Sequence, residues 1–147
     1  MKRRHFVVSL MLPFAARAQG FSSPADSAKW IAEITGGSTP EKTGIEIEMP
    51  QIAENGNAVP LHIRVASPMT SGDHVKAIHV FAERNPRPRV ATFHLGPDAG
   101  RADIMTRVRL GGTQGVTVLA ELSGGRWRVA AQNVLVTTGA CLDEGSL

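Results

Sequence analysis

Apolar and polar residues alternate along most of this chain. Ile45-Glu46-Ile47-Glu48-Met49, Leu61-His62-Ile63-Arg64-Val65 and Thr106-Arg107-Val108-Arg109-Leu110 each place an apolar side chain at every second position. That is the period of a strand with one face buried and one wet. The same reading gives seven candidate strands, at 45–49, 61–66, 75–82, 90–95, 102–110, 116–122 and 127–137. Turn-forming stretches separate them: Glu54-Asn55-Gly56-Asn57, Ser67-Pro68, Ser71-Gly72, Asn85-Pro86-Arg87-Pro88, Gly96-Pro97-Asp98, Gly111-Gly112 and Ser123-Gly124-Gly125. Seven short strands at this spacing predict an all-β fold, an immunoglobulin-like antiparallel β-sandwich. The Cys…Trp…Cys pattern of antibody domains is absent, so the expectation concerns architecture alone.

One segment breaks the period of two. Ser22-Ser23-Pro24-Ala25-Asp26 is a helix-start signal: Ser23 can cap, Pro24 suits the first turn, and Asp26 favours the positive end of the helix dipole. Trp30 and Ile34 lie four apart and share a face, and Gly36-Gly37 stops the helix. A short N-terminal helix packed on the sandwich through Trp30 is expected.

The first 18 residues read as an export signal. Met1-Lys2-Arg3-Arg4 is a charged start, Phe6 to Phe14 a short apolar stretch, and Ala16-Arg17-Ala18 a small-x-small cleavage site. The apolar run is too short to span a bilayer, so no membrane anchor is expected in the mature chain. Arg3-Arg4-His5-Phe6-Val7 fits a twin-arginine signal, and an ordinary secretory signal is the alternative. Cleavage would leave 129 of the 147 residues, enough for one core. It also removes the apparent basicity. The whole chain carries 16 Lys and Arg against 13 Asp and Glu; without Lys2, Arg3, Arg4 and Arg17 the balance is 12 to 13, a net charge of −1. Nucleic-acid binding loses its main support. The expected organisation is a signal at 1–18, helix plus sandwich at 19–137, and a C-terminal arm at 138–147. The expected location is the periplasm.

Cys141 is the chain's one cysteine. It rules out an internal disulfide and any paired-cysteine metal site. It follows the last predicted strand, beside Gly139 and Ala140, which suit a flexible arm. Four extended residues beyond Thr137 carry the thiol ~13 Å from the body, at ~3.3 Å per residue. Three readings of this position stand: a thiol that carries covalent cargo into partner active sites, an incidental free thiol, or an intermolecular disulfide. Asp143 and Glu144 raise the pKa of a nearby thiol, and no Lys, Arg or His lies close in sequence. A thiol inert in isolation and activated inside a partner suits a carrier better than an enzyme, which holds its own base. No catalytic residue of the chain's own is expected.

His62, His74, His79 and His94 show no metal-ligand spacing, so no metal or other cofactor is expected. His62 and Arg64 read as a solvent face, and His79 as half buried. Arg84, Arg87, Arg89, Arg101, Arg107 and Arg109 read either as a solvated face or as an anion or protein-docking surface.

From Trp30 to Cys141 the chain resembles the SoxY sulfur-carrier family of sulfur oxidation. The resemblance is carried by Ile34-Thr35-Gly36-Gly37, Pro50-Gln51-Ile52-Ala53-Glu54-Asn55-Gly56, Ser67-Pro68-Met69 and His74-Val75-Lys76-Ala77-Ile78-His79. Further along it is carried by Glu83-Arg84-Asn85-Pro86, Val90-Ala91-Thr92-Phe93-His94-Leu95-Gly96-Pro97 and Gly100-Arg101-Ala102. The resemblance implies an immunoglobulin-like sandwich, twin-arginine export and a C-terminal swinging arm. It also implies a heterodimer with a SoxZ-like subunit, and periplasmic sulfur-oxidising enzymes and cytochromes as further partners. Thiosulfate or sulfur cargo would be held covalently on the arm cysteine, Cys141. The arm departs from the family's Gly-Gly-Cys-Gly-Gly: here it reads Gly139-Ala140-Cys141-Leu142-Asp143-Glu144. It is similar to a SoxY-related subgroup with an Ala-Ala-Cys-Ile-Glu arm. The departure leaves open an adaptor, or a carrier of another thiol-reactive cargo in a periplasmic redox relay.

Overall fold

The computed structural model describes residues 24–140. The export signal expected at 1–18 and residues 141–147 of the expected arm, Cys141 included, lie outside the described residues.

The helix α1 spans Pro24–Thr35. It ends where the sequence places the stop. Gly36 and Gly37 have φ of 62° and 86°, a region costly for residues with a Cβ. The Gly37 N–H donates to the Ala32 carbonyl at 2.9 Å, closing the helix end as a Schellman turn.

Eight strands follow: β1 Ile45–Glu48, β2 Ile52–Asn55, β3 Val59–Val65, β4 Val75–Ala82, β5 Arg89–His94, β6 Ala102–Val108, β7 Gln114–Leu122 and β8 Trp127–Thr138. They form a three-stranded sheet ordered β1-β3-β6 and a five-stranded sheet ordered β2-β8-β7-β4-β5. This is the expected all-β sandwich, with one strand more than the sequence indicates. The added strand, β2, also qualifies the antiparallel expectation, because it pairs parallel with β8, Ile52 opposite Leu135 and Asn55 opposite Thr138. The reading of 54–57 as a turn is right for Gly56–Ala58, a single 3-10 turn. It misses the four-residue strand just before it.

The core lies between the sheets. Val59, Leu61, Ile63 and Val65 of β3 and Val108 beyond them meet Val80, Val116, Val118 and Val134 of the larger sheet. β3 alternates buried and half-exposed as its sequence predicts. β4 and β7 do not alternate; nearly every residue in them is buried. Their outer face is covered too. Trp30 of α1 stacks on Phe81 with ring centroids 6.3 Å apart, and Trp127 covers His79 at the same separation. The helix therefore does what its Trp30 predicts: it seals the second face of the central strands. Among the described residues, no helix is long and apolar enough to cross a membrane.

Candidate functional site

The residues leading to Cys141 are held firmly. β8 runs through Thr138, and the two residues after it lie along the connection between β6 and β7. The Ala140 N–H donates to the Leu110 carbonyl at 2.9 Å, and the Leu110 N–H donates to the Gly56 carbonyl at 2.8 Å. Three segments meet here, and glycine lets them. A Cβ on Gly56 would overlap the Leu110 carbonyl oxygen and come within 2.8 Å of the Ala140 nitrogen. A Cβ on Gly139 would stand 2.6 Å from the Gly111 carbonyl oxygen. Close approach of backbones accounts for both glycines. Freedom of the chain is the role the sequence suggests for Gly139 and Ala140. In this structure both lie at the root of the arm, against the body.

The 109–112 segment that receives the root is fixed by a buried amide network. Asn85 donates through Nδ2 to the Arg109 carbonyl at 2.8 Å. Its Oδ1 accepts from the Gly111 N–H and from Gln114 Nε2, both at 3.0 Å. Gln114 Oε1 in turn accepts the Arg84 N–H at 2.8 Å. Thr113 adds a clamp on β8: its hydroxyl accepts from the Val136 N–H at 2.9 Å and donates to the Val136 carbonyl at 3.3 Å. Asn85 and Gln114 are 4% and 5% exposed, so these bonds form away from water, where an unmade one is expensive. The sequence reading places Asn85 in a turn and misses this role. The signal available was weak: an amide next to Pro86, and a polar residue opening β7.

The histidines do not converge. His62 sets Nδ1 3.0 Å from Glu48 Oε2 and Nε2 2.6 Å from Asp103 Oδ1. Arg64 donates to Glu46 at 2.8 Å and to Glu48 at 3.0 Å. Together they make a solvated charge network on the outer face of the small sheet, as the alternation predicts. The bond from Arg64, then that from His62, holds the Glu48 carboxyl below its usual range. The bond to Glu46, then that to Glu48, raises Arg64. His74 bonds the Thr70 carbonyl at 3.1 Å. His79 is buried, with Nδ1 3.2 Å from the Thr92 hydroxyl. Burial, then the Arg89 and His94 charges, pushes His79 below its ordinary value, against an opposing pull from Glu121. Among the described residues, no three His, Cys, Asp or Glu side chains are grouped to hold a metal ion. The arginines do gather: Arg87, Arg89, Arg107 and Arg109 line one groove between β5 and β6. Arg101 lies apart, at a shallow depression beside Asp103.

Two packed sheets and a covering helix define an immunoglobulin-like sandwich, with residues 139 and 140 held against its body. A family model described as sulfur oxidation protein SoxY matches residues 31–141. The chain belongs to the SoxY family. Among solved structures it is similar to the sulfur carrier protein SoxY from Chlorobium limicola f thiosulfatophilum. The two are 32% identical with a TM-score of 0.62, over 78% of this chain and 99% of that one. A superoxide reductase (neelaredoxin) from Ignicoccus hospitalis shares the fold at 15% identity and TM-score 0.58, covering 65% and 82% of the two chains. A superoxide reductase from Nanoarchaeum equitans does so at 11% and 0.55, covering 65% and 100%. These two likenesses concern the fold alone. No curated protein sequence matches the chain.

Proposed function

We propose that this chain is a periplasmic sulfur carrier of a Sox-type pathway, with its cargo covalently bound to Cys141 while partner enzymes act on it. The family match carries this reading, because it extends through the whole sandwich to residue 141. The braced root supports it: a carrier needs a rigid body and a defined departure point for its thiol. Joining thiosulfate to the thiol forms an S–S bond and releases one proton and two electrons. A cytochrome-class acceptor must take those electrons, so the carrier works with an oxidising partner. A SoxZ-like subunit is the proposed body partner. Ile52 and Leu135, register neighbours at 60% and 49% exposure, offer it apolar surface at the β2 edge. The chain supplies binding and presentation, and no catalytic group of its own.

A second reading draws on one observation. Leu142, Asp143 and Glu144 follow the cysteine where the family's slim arm has glycines. A narrow neutral pocket would reject that bulk and charge. On this reading the cargo is another thiol-reactive group in a periplasmic redox relay. The Cys141→Ser variant tests both. It should fold as the parent does and lose covalent cargo and its transfer entirely. Undiminished transfer by Cys141→Ser would refute any carrier role.

A further inference from the structure

The groove between β5 and β6 lies outside the carrier chemistry assigned to Cys141. β5 ends the five-stranded sheet and β6 ends the three-stranded one, so their open edges face each other across it. It encloses about 710 Å³. Arg87, Arg89, Arg107 and Arg109 ring it over an apolar floor that includes Phe93 and Val108. Among the described residues its lining contains no carboxylate. Four guanidinium groups around one concavity repel each other and attract an anion.

The groove reaches the root of the arm. Arg109 adjoins Leu110, whose carbonyl receives the Ala140 N–H. Three and four residues past Ala140 come Asp143 and Glu144. At ~3.3 Å per residue they reach ~10 and ~13 Å from that bond, enough to pass Arg109 and meet Arg107 two residues back, at the end of β6. Leu142 lies beside them and suits the apolar floor.

We propose that the arginine groove is the resting dock of the chain's own C-terminal segment, with Asp143 and Glu144 paired to Arg107 and Arg109. Docking parks Cys141 against the body until a partner competes for the arm. Exposed ion pairs are individually weak. Tethering raises the local concentration of the segment, while salt at physiological strength screens beyond ~8 Å. The dock is therefore reversible and salt-sensitive. It gives a role to Asp143 and Glu144, two acidic residues that follow the cysteine directly after Leu142. The inference does not depend on which cargo Cys141 carries.

The single thiol makes the test direct. A nitroxide attached to Cys141 of the full chain broadens the amide signals of nuclei near it. At low salt the signals of Arg87–Phe93 and Arg107–Arg109 should broaden well beyond those of other residues equally far from Ala140. The excess should vanish in the Asp143→Asn/Glu144→Gln variant and in ~0.5 M salt, where the Debye length is a few Å. Arg107→Glu/Arg109→Glu should also abolish it, and adding Asp143→Lys/Glu144→Lys to that variant should restore it. Broadening unchanged by these substitutions would overturn the dock. So would absent broadening with groove signals that shift only when thiosulfate is added, which would assign the groove to a free oxyanion. Neither result touches the carrier reading, because no sulfur transfer is measured.

Discussion

The Ala140 N–H donates to the Leu110 carbonyl at 2.9 Å, so the residue before the single cysteine is tied to the connection between β6 and β7. The arm is thereby given a fixed origin. Gly56 and Gly139 make that tie geometrically open by lacking a Cβ where backbones nearly touch.

Replacing Gly56 tests whether close approach is the reason for that glycine. Gly56→Ala drives a methyl into the Leu110 carbonyl, and something must shift. The expected cost is about 1–3 kcal/mol, the usual range for overpacking, read as a lower denaturation midpoint. Gly139→Ala should cost less overall, because the exposed root can move aside. It should nevertheless release the Ala140 amide to rapid hydrogen exchange. Protection of that amide unchanged in Gly139→Ala would mean that Gly139 serves flexibility instead.

Asn85 is expected to matter more than a turn residue should. Asn85→Ala takes the side-chain partner from the Arg109 carbonyl and the Gly111 N–H in a buried setting, and leaves Gln114 Nε2 with its bond to the Gly112 carbonyl alone. A loss of about 2–4 kcal/mol follows, from the ~1–3 kcal/mol for each buried unsatisfied group, partly recovered by water. Asn85→Asp retains an acceptor but loses the donor to Arg109, and should fall between. Urea titration of the two variants orders them. Equal stability of Asn85→Ala and parent would refute the network's role.

Stability should decline on acidification in two windows. Burial lowers the folded-state pKa of His79 below its unfolded value near ~6.5. Between those two values the unfolded chain binds more protons, so stability rises with pH and is lost as pH falls below ~6.5. Glu48 is also lowered, by Arg64 first and His62 second. Its contribution is present above the unfolded carboxyl value near ~4.3 and disappears as pH falls through its folded value. His79→Gln should flatten the upper window and leave the lower one. Denaturant midpoints from pH ~7.5 down to ~2.5, which brackets the unfolded histidine and carboxyl values, read both.

The alternation in 45–49 and 61–65 made β1 and β3 legible because each has one wet face. The helix was legible from Pro24, Trp30 and Gly36-Gly37, since propensity, packing and stop all agree there. β2 was not. Its four residues put a single inward side chain, Ala53, into the core, and Asn55-Gly56 dominates the local signal. Its parallel pairing with β8 is a long-range fact that no local pattern encodes. The site was legible only in part. Cys141 stands out as the one thiol, and the tail's charges are plain. The bracing of its root depends on Asn85, Leu110, Gln114 and Gly56, which are far apart in sequence and brought together by the strand order. The clustering of Arg87, Arg89, Arg107 and Arg109 likewise depends on two sheet edges meeting.

The most direct test of the carrier account is the intact mass of the protein purified from its native cells, recorded before and after a reductant. The account predicts added mass equal to one or more sulfur atoms or a thiosulfate group, mapped to Cys141 and removed by the reductant. A thiol that is bare as purified, and stays bare with thiosulfate and the oxidising partner enzymes, would contradict it.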